Sequence, residues 1–162
     1  MKKSLLLSVF GLLAVLNLSA QIPSVKIQDI NSREFDTKDM VDGKTPAVIT
    51  FWSVKCRPCI AEMNILNDCF EDWQEDLDFR VIAVSCDDSR FNSKAKSMIG
   101  GNSWENFIHL FDINGDFKRA MNFSYEPQVF VIDPNGKIVY SHSGENPGIE
   151  EEVFEALKKA SL

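Results

Sequence analysis

Histidine, cysteine and basic charge are all in short supply in this chain, and each shortage closes off a class of function. The two histidines, His109 and His142, both fall inside strand-like segments, which gives neither a catalytic nor a metal-binding setting. Four cysteines in 162 residues are too sparse for a disulfide-built scaffold, so the domain must stand on its core. Lys and Arg number 17 against 24 Asp and Glu, a formal charge of −7, and nucleic acid or anionic lipid is therefore not the expected partner. There is no internal repeat, no low-complexity stretch and no block of like charges. Beyond residue 20, no run is apolar for long enough to span a bilayer.

Hydrophobic residues are plentiful, at 44% with 12 Phe, enough for a packed core in a single domain. The first twenty residues differ from the rest. Lys2 and Lys3 precede the apolar run Leu5–Leu16, and "NLSA" then ends in small residues before Gln21. This pattern predicts a secretory signal over 1–20, cleaved to leave a mature domain over 21–162. If retained, residues 5–20 would tether the chain to a membrane, although the run is short for a span and Asn17 interrupts it. Export would place Cys56, Cys59, Cys69 and Cys86 where unprotected thiols oxidise.

The mature chain alternates its periodicities. "SVKIQDINSREFDTKDM" reads as an edge hairpin or two short strands, and Thr45 to Trp52 as a buried central strand. After Cys56 the period becomes helical, with Cys59, Met63, Leu66, Phe70 and Trp73 on one stripe. Asp78 to Ser85 is a second buried strand, and Asp87 and Asp88 are placed to cap a helix ending at Gly100-Gly101. A short strand ("NFIHLFD"), a short helix ("GDFKRAMNF"), a hairpin turning at Pro134-Asn135-Gly136 and an amphipathic helix from Ile149 complete the chain. The order βαβα then ββα predicts an α/β fold with helices on both faces of a mixed sheet.

The stretch "FWSVKCRPCIAEM", residues 51 to 63, carries the chemistry. Two cysteines three apart could form a metal clip, a structural staple or a redox switch. Strand, Cys-x-x-Cys and helix in that order, followed about seventy residues later by "EPQVFVIDPNGKI", resemble the thioredoxin superfamily, and more closely its exported TlpA/ResA-like branch. The resemblance spans the mature chain. It implies a three-layer α/β/α thioredoxin-like fold with a central mixed sheet and an N-terminal β-hairpin extension. It also implies a thiol–disulfide oxidoreductase whose redox-active disulfide, Cys56 with Cys59, needs no further cofactor or metal.

Physical chemistry agrees with the roles the resemblance implies. Cys56, at the helix start, meets unpaired N–H groups and the positive end of the dipole, which favour a thiolate. Lys55 and Arg57 add positive charge, each contributing roughly 1 kcal/mol at about 7 Å. Pro58 stiffens the first turn at no hydrogen-bond cost. Cys56 then attacks, and Cys59, one turn inward, resolves the mixed disulfide. The resemblance further implies a cis Glu126–Pro127 bond beside the sulfurs, exposing backbone for an extended substrate. Glu62 aligns with an acidic residue common in the branch and is placed to relay protons. Trp52 near the dithiol either shields it on the substrate side or belongs to the core.

Departures from the branch are Lys55 where Trp is usual and Asn64 where a kinking Pro is common. Thr50 stands where cytosolic thioredoxins bury an acid, and Glu126 sets a negative charge against Lys55 and Arg57. The implied partners are exported proteins with thiols or disulfides, apocytochrome c among them, and a membrane thiol donor that keeps the pair reduced. A strong oxidant is the variant reading. The competing class is an exported binding module that holds Cu(I), zinc or a partner protein through the cysteine pair. Cys69 and Cys86 are expected too far apart to bridge. Cys69 is read as a half-buried structural thiol, and Cys86 as either a buried residue near the active-site end or a third redox thiol.

Overall fold

Asp42 opens the central strand. Its carboxylate accepts from the Lys44 and Thr45 N–H groups and the Thr45 hydroxyl, closing a tight turn. The apolar run behind it forms β3, Ala47–Trp52, with all six residues buried. Alternation splits its side chains, as a strand must. Val48 and Trp52 join one apolar cluster, while Ala47, Ile49 and Phe51 join another on the opposite face.

The computed structural model describes residues 20–162; the expected signal over 1–20 thus lies, Ala20 apart, outside the described residues. Around β3 stand β1 (Lys26–Asp29), β2 (Glu34–Asp36), α1 (Arg57–Asp76), β4 (Arg80–Ser85) and α2 (Asn92–Gly101). Then follow β5 (Ile108–Phe111), α3 (Asp116–Ala120), β6 (Gln128–Ile132), β7 (Ile138–Ser143) and α4 (Ile149–Ala160). The strands form one mixed sheet in the order β2-β1-β5-β4-β3-β6-β7. β3, β4 and β5 run parallel, and β6 returns antiparallel beside β3 with Phe51 opposite Gln128. The β1–β2 hairpin closes the far edge, as an extension of the sheet.

Helices cover both faces, but unequally. The stripe Cys59, Met63, Leu66, Phe70 and Trp73 of α1 is buried as its period requires, in a cluster that also takes Ala95 and Ile99 of α2 and Val153 of α4. Trp73 stacks on Phe154 of α4 at 5.0 Å. The other face has only five-residue α3 and a 3₁₀ turn over Thr37–Met40, and aromatic rings fill the gap. Phe51 meets Phe117, Phe123 and Phe130 at 5.2, 4.6 and 6.0 Å. Burying a ring of this size stabilises by roughly 2–3 kcal/mol, so the carboxyl end of β3, from which the cysteine loop springs, is held firmly.

The start of α2 corrects one expectation. Phe91 is its N-cap, with no side-chain cap bond, and neither Asp87 nor Asp88 fills that role. A buried donor outcompetes the helix: the Asp87 carboxylate accepts from the Val54 N–H at 2.9 Å and the Ser85 hydroxyl at 3.0 Å. Asp88 instead binds Arg90.

Candidate active site

At the carboxyl end of β3 the chain leaves the sheet through Ser53 to Lys55 and enters α1 at Cys56. Cys56 is the N-cap residue, and its sulfur accepts the Cys59 N–H at 3.1 Å. Pro58 follows in the first turn, where no helical N–H partner exists to be lost. Cys56 and Cys59 are bonded as a disulfide with Cα atoms 5.2 Å apart. Cys56 is half-exposed and Cys59 is wholly buried, so one sulfur meets solvent and the other faces the core.

The Glu126–Pro127 peptide is cis. Because Phe51 pairs with Gln128, Pro127 lies beside the end of β3 that feeds the cysteine loop. The Pro127 carbonyl accepts the Gly144 N–H at 2.8 Å, whereas the Glu126 N–H and carbonyl have no backbone partner among the described residues. The Glu126 carboxylate is paired with Lys118 at 2.5 Å, a contact largely shielded from water. Cys86 lies against the same carboxylate. Burial, then the adjacent Glu126 charge, push its thiol far above the ordinary range and keep it neutral, which disfavours a third redox thiol. Cys69, also free and half-buried, is likewise raised by burial.

Glu62 is 6% exposed on the inward stripe of α1, one turn beyond Cys59. Its carboxyl accepts the Thr50 hydroxyl at 2.8 Å. Burial raises it to about 7, against the opposing pull of that hydrogen bond. A cleft of about 200 Å³, lined by Pro58, Ala61, Ile65, Glu145, Asn146 and Pro147, reaches it from outside. Thr50 was legible only as a position without charge; strand alternation puts it on the same face as Val48 and Trp52, under α1.

The two cations flanking Cys56 are exposed. Lys55 carries its ammonium 4.0 Å from the centre of the Phe91 ring, and neither Lys55 nor Arg57 has a salt-bridge partner among the described residues. Trp52 is 1% exposed and meets Trp104 edge-on at 5.4 Å, so it backs the site from the core and presents no surface to a substrate. Sequence reasoning missed Asp87, Phe91 and Lys118. Asp87 and Phe91 arrive through contacts with the distant loop before α1, and Lys118 reaches Glu126 from α3, eight residues back; no local pattern announces them. His109 is buried with Nε2 2.7 Å from the Trp104 carbonyl. Among the described residues, no three His, Cys, Asp or Glu side chains group to hold a metal ion.

With this geometry in hand, comparison with known proteins is specific. The Redoxin family model matches residues 18–158. The thiol-disulfide oxidoreductase ResA of Bacillus thuringiensis subsp. konkukian is 24% identical over 152 residues, covering 89% of this chain and 79% of the relative. The thiol:disulfide interchange protein DsbE of Escherichia coli (strain K12) is 29% identical over 140 residues, covering 84% and 71%. Among solved structures, an uncharacterized thioredoxin-like protein from Porphyromonas gingivalis superposes with a TM-score of 0.76 at 40% identity, covering 90% of this chain and 94% of that one. A putative DsbE from Chlorobium tepidum gives 0.75 at 22% identity, covering 89% and 97%, a likeness of fold.

Proposed function

Since the chain belongs to the Redoxin family and is a thiol–disulfide oxidoreductase of the ResA and DsbE type, we propose that it works outside the cytosol as a reductant of disulfides in exported proteins. The observation that carries this reading is the split exposure of one disulfide: Cys56 half-exposed at a helix N-cap, Cys59 buried behind it.

In the reduced protein, the Cys56 thiolate attacks one sulfur of a substrate disulfide. A Cys56–substrate disulfide forms and the first substrate thiolate leaves. Cys59 then attacks the Cys56 sulfur, releasing the second substrate thiolate and closing the Cys56–Cys59 disulfide. Two electrons pass from the dithiol to the substrate, and a membrane thiol donor returns them. The helix N-terminus favours the Cys56 thiolate, with Lys55 and Arg57 adding to it and Pro58 stiffening the turn.

Cys59 has the harder task, because a buried thiol resists ionisation. Glu62, three residues on and therefore its neighbour on the helix, serves as the base. Near neutral pH it takes the Cys59 proton and passes it to water through the cleft beside Pro58. The open backbone of Glu126, before Pro127, offers an extended substrate its hydrogen bonds. Apocytochrome c is the substrate suggested by the TlpA/ResA resemblance. The leader over 1–20 would deliver the 21–162 domain across the membrane, or tether it there.

Catalysed reduction of insulin by dithiothreitol tests the chemistry, with rates well above the uncatalysed blank expected. A Cys59→Ser variant expressed in the native host tests the destination. It should retain exported proteins on Cys56 as mixed disulfides, identifiable by mass spectrometry. A blank-level insulin rate, or adducts confined to cytosolic proteins, would overturn the corresponding half of the proposal.

A further inference from the structure

The charges around the dithiol are sorted unevenly. The nearby acids are occupied or withdrawn: Glu126 is paired with Lys118, Asp88 with Arg90, Asp87 is buried on Val54 and Ser85, and Glu62 is buried on Thr50. The cations Lys55 and Arg57 remain in solvent on either side of Cys56, without a carboxylate partner among the described residues. The exposed Lys55 ammonium lies 4.0 Å from the centre of the Phe91 ring. Two acids near the site remain open to solvent: Asp88, which is paired with Arg90 but also feels Lys55, and Glu145 on the opposite flank, beside Pro58. A chain of net charge −7 thus presents positive charge around its reactive sulfur.

We propose that Lys55 and Arg57 make the site selective for disulfides flanked by negative charge, so that its protein substrates present acidic segments around the cysteine. This rests on the exchange reading above and names the substrate class for it. In the attacking complex the substrate's acidic groups lie within a Debye length of both cations, about 10 Å at 0.1 M salt, so the preference operates at low ionic strength and fades with added salt. The protein's overall negative field repels such a substrate at long range, and the local pair overcomes this at contact, because nearby charges are screened least.

Three small disulfides isolate the effect: glutathione disulfide (anionic), hydroxyethyl disulfide (neutral) and cystamine (cationic). Second-order rate constants for oxidation of the reduced protein are measured at one pH, in low and high salt. Each is divided by the constant for mercaptoethanol with the same disulfide, which removes leaving-group reactivity. Ratios between substrates also cancel the thiolate fraction of Cys56, since the nucleophile is common to all three. The anionic-to-cationic ratio should be about tenfold or more at low salt and should shrink towards unity in 1 M salt.

In the Lys55→Gln/Arg57→Gln double variant the low-salt ratio should fall to near one, and in Glu145→Gln it should rise. Equal normalised rates for the three disulfides, a faster cystamine reaction, or a ratio that survives the double substitution would each overturn the proposal. Failure of all three disulfides to react would overturn the exchange reading itself, and the selectivity with it.

Discussion

Two glutamates flank the same dithiol and are handled in opposite ways. Glu126, before the cis proline, has its charge balanced directly by Lys118 at 2.5 Å. Glu62, inside α1, has no cation and only the Thr50 hydroxyl, and burial lifts it to about 7. The first is a carboxylate whose charge is answered before a substrate arrives. The second is balanced between its protonated and ionised forms at working pH, the state a proton carrier needs. Surroundings, not residue type, set the two carboxyls apart.

The strongest way to break this contrast is Glu62→Gln. Resolution of the mixed disulfide at pH 7 should slow by about 10²-fold, read by acid-quenched trapping of the Cys56 adduct. The wild-type resolution rate should climb as pH rises through about 7, where Glu62 becomes a base, while the variant lacks that limb.

Stability should sharpen the contrast next. Glu62 in the folded protein holds its proton to about 7, against 4.5 for the ordinary group. Between these values the native state binds more protons than the unfolded one, so stability falls as pH rises through the window. The loss is on the order of 3 kcal/mol, and urea titrations of oxidised Glu62→Gln should show it missing.

Lys118→Met should cost less, about 1–2 kcal/mol, by stranding a shielded Glu126 carboxylate. Adding Glu126→Gln should recover most of that loss, and a double-mutant cycle would measure the coupling. The smallest effect belongs to Thr50→Val. Removing the hydrogen bond that favours the carboxylate should move the Glu62 midpoint above 7, visible by carboxyl NMR titration.

What the sequence disclosed followed its periodicities. The stripe from Cys59 to Trp73, the buried run of β3 and the Pro134-Asn135-Gly136 turn are local patterns, and each reappears in the fold. The cysteine pair with a proline inside it was equally plain. Contacts set by the packing of distant elements were not. Asp87 looks like a helix cap until Val54, 33 residues earlier, competes for its carboxylate. That the Lys55 ammonium would rest over the Phe91 ring could not be read from the sequence either. Glu62 could be placed near the inward stripe by angle alone, but Thr50 as its partner required the α1–β3 packing.

The way the described chain begins gives the molecule a heading. The Ala20 carbonyl accepts the Ile138 N–H at 2.9 Å, and the Ile22 N–H reaches the Gly136 carbonyl at 2.9 Å. Gly136, at φ +82°, leaves no room for a Cβ: one there would stand 2.7 Å from Val41. This clasp sits where Ala47 pairs with Ile132, at the foot of β3, and the reactive sulfur hangs from its top. Six strand residues, roughly 17–20 Å, separate the two ends. The described chain therefore enters the domain at its base, at the end of the sheet remote from the dithiol.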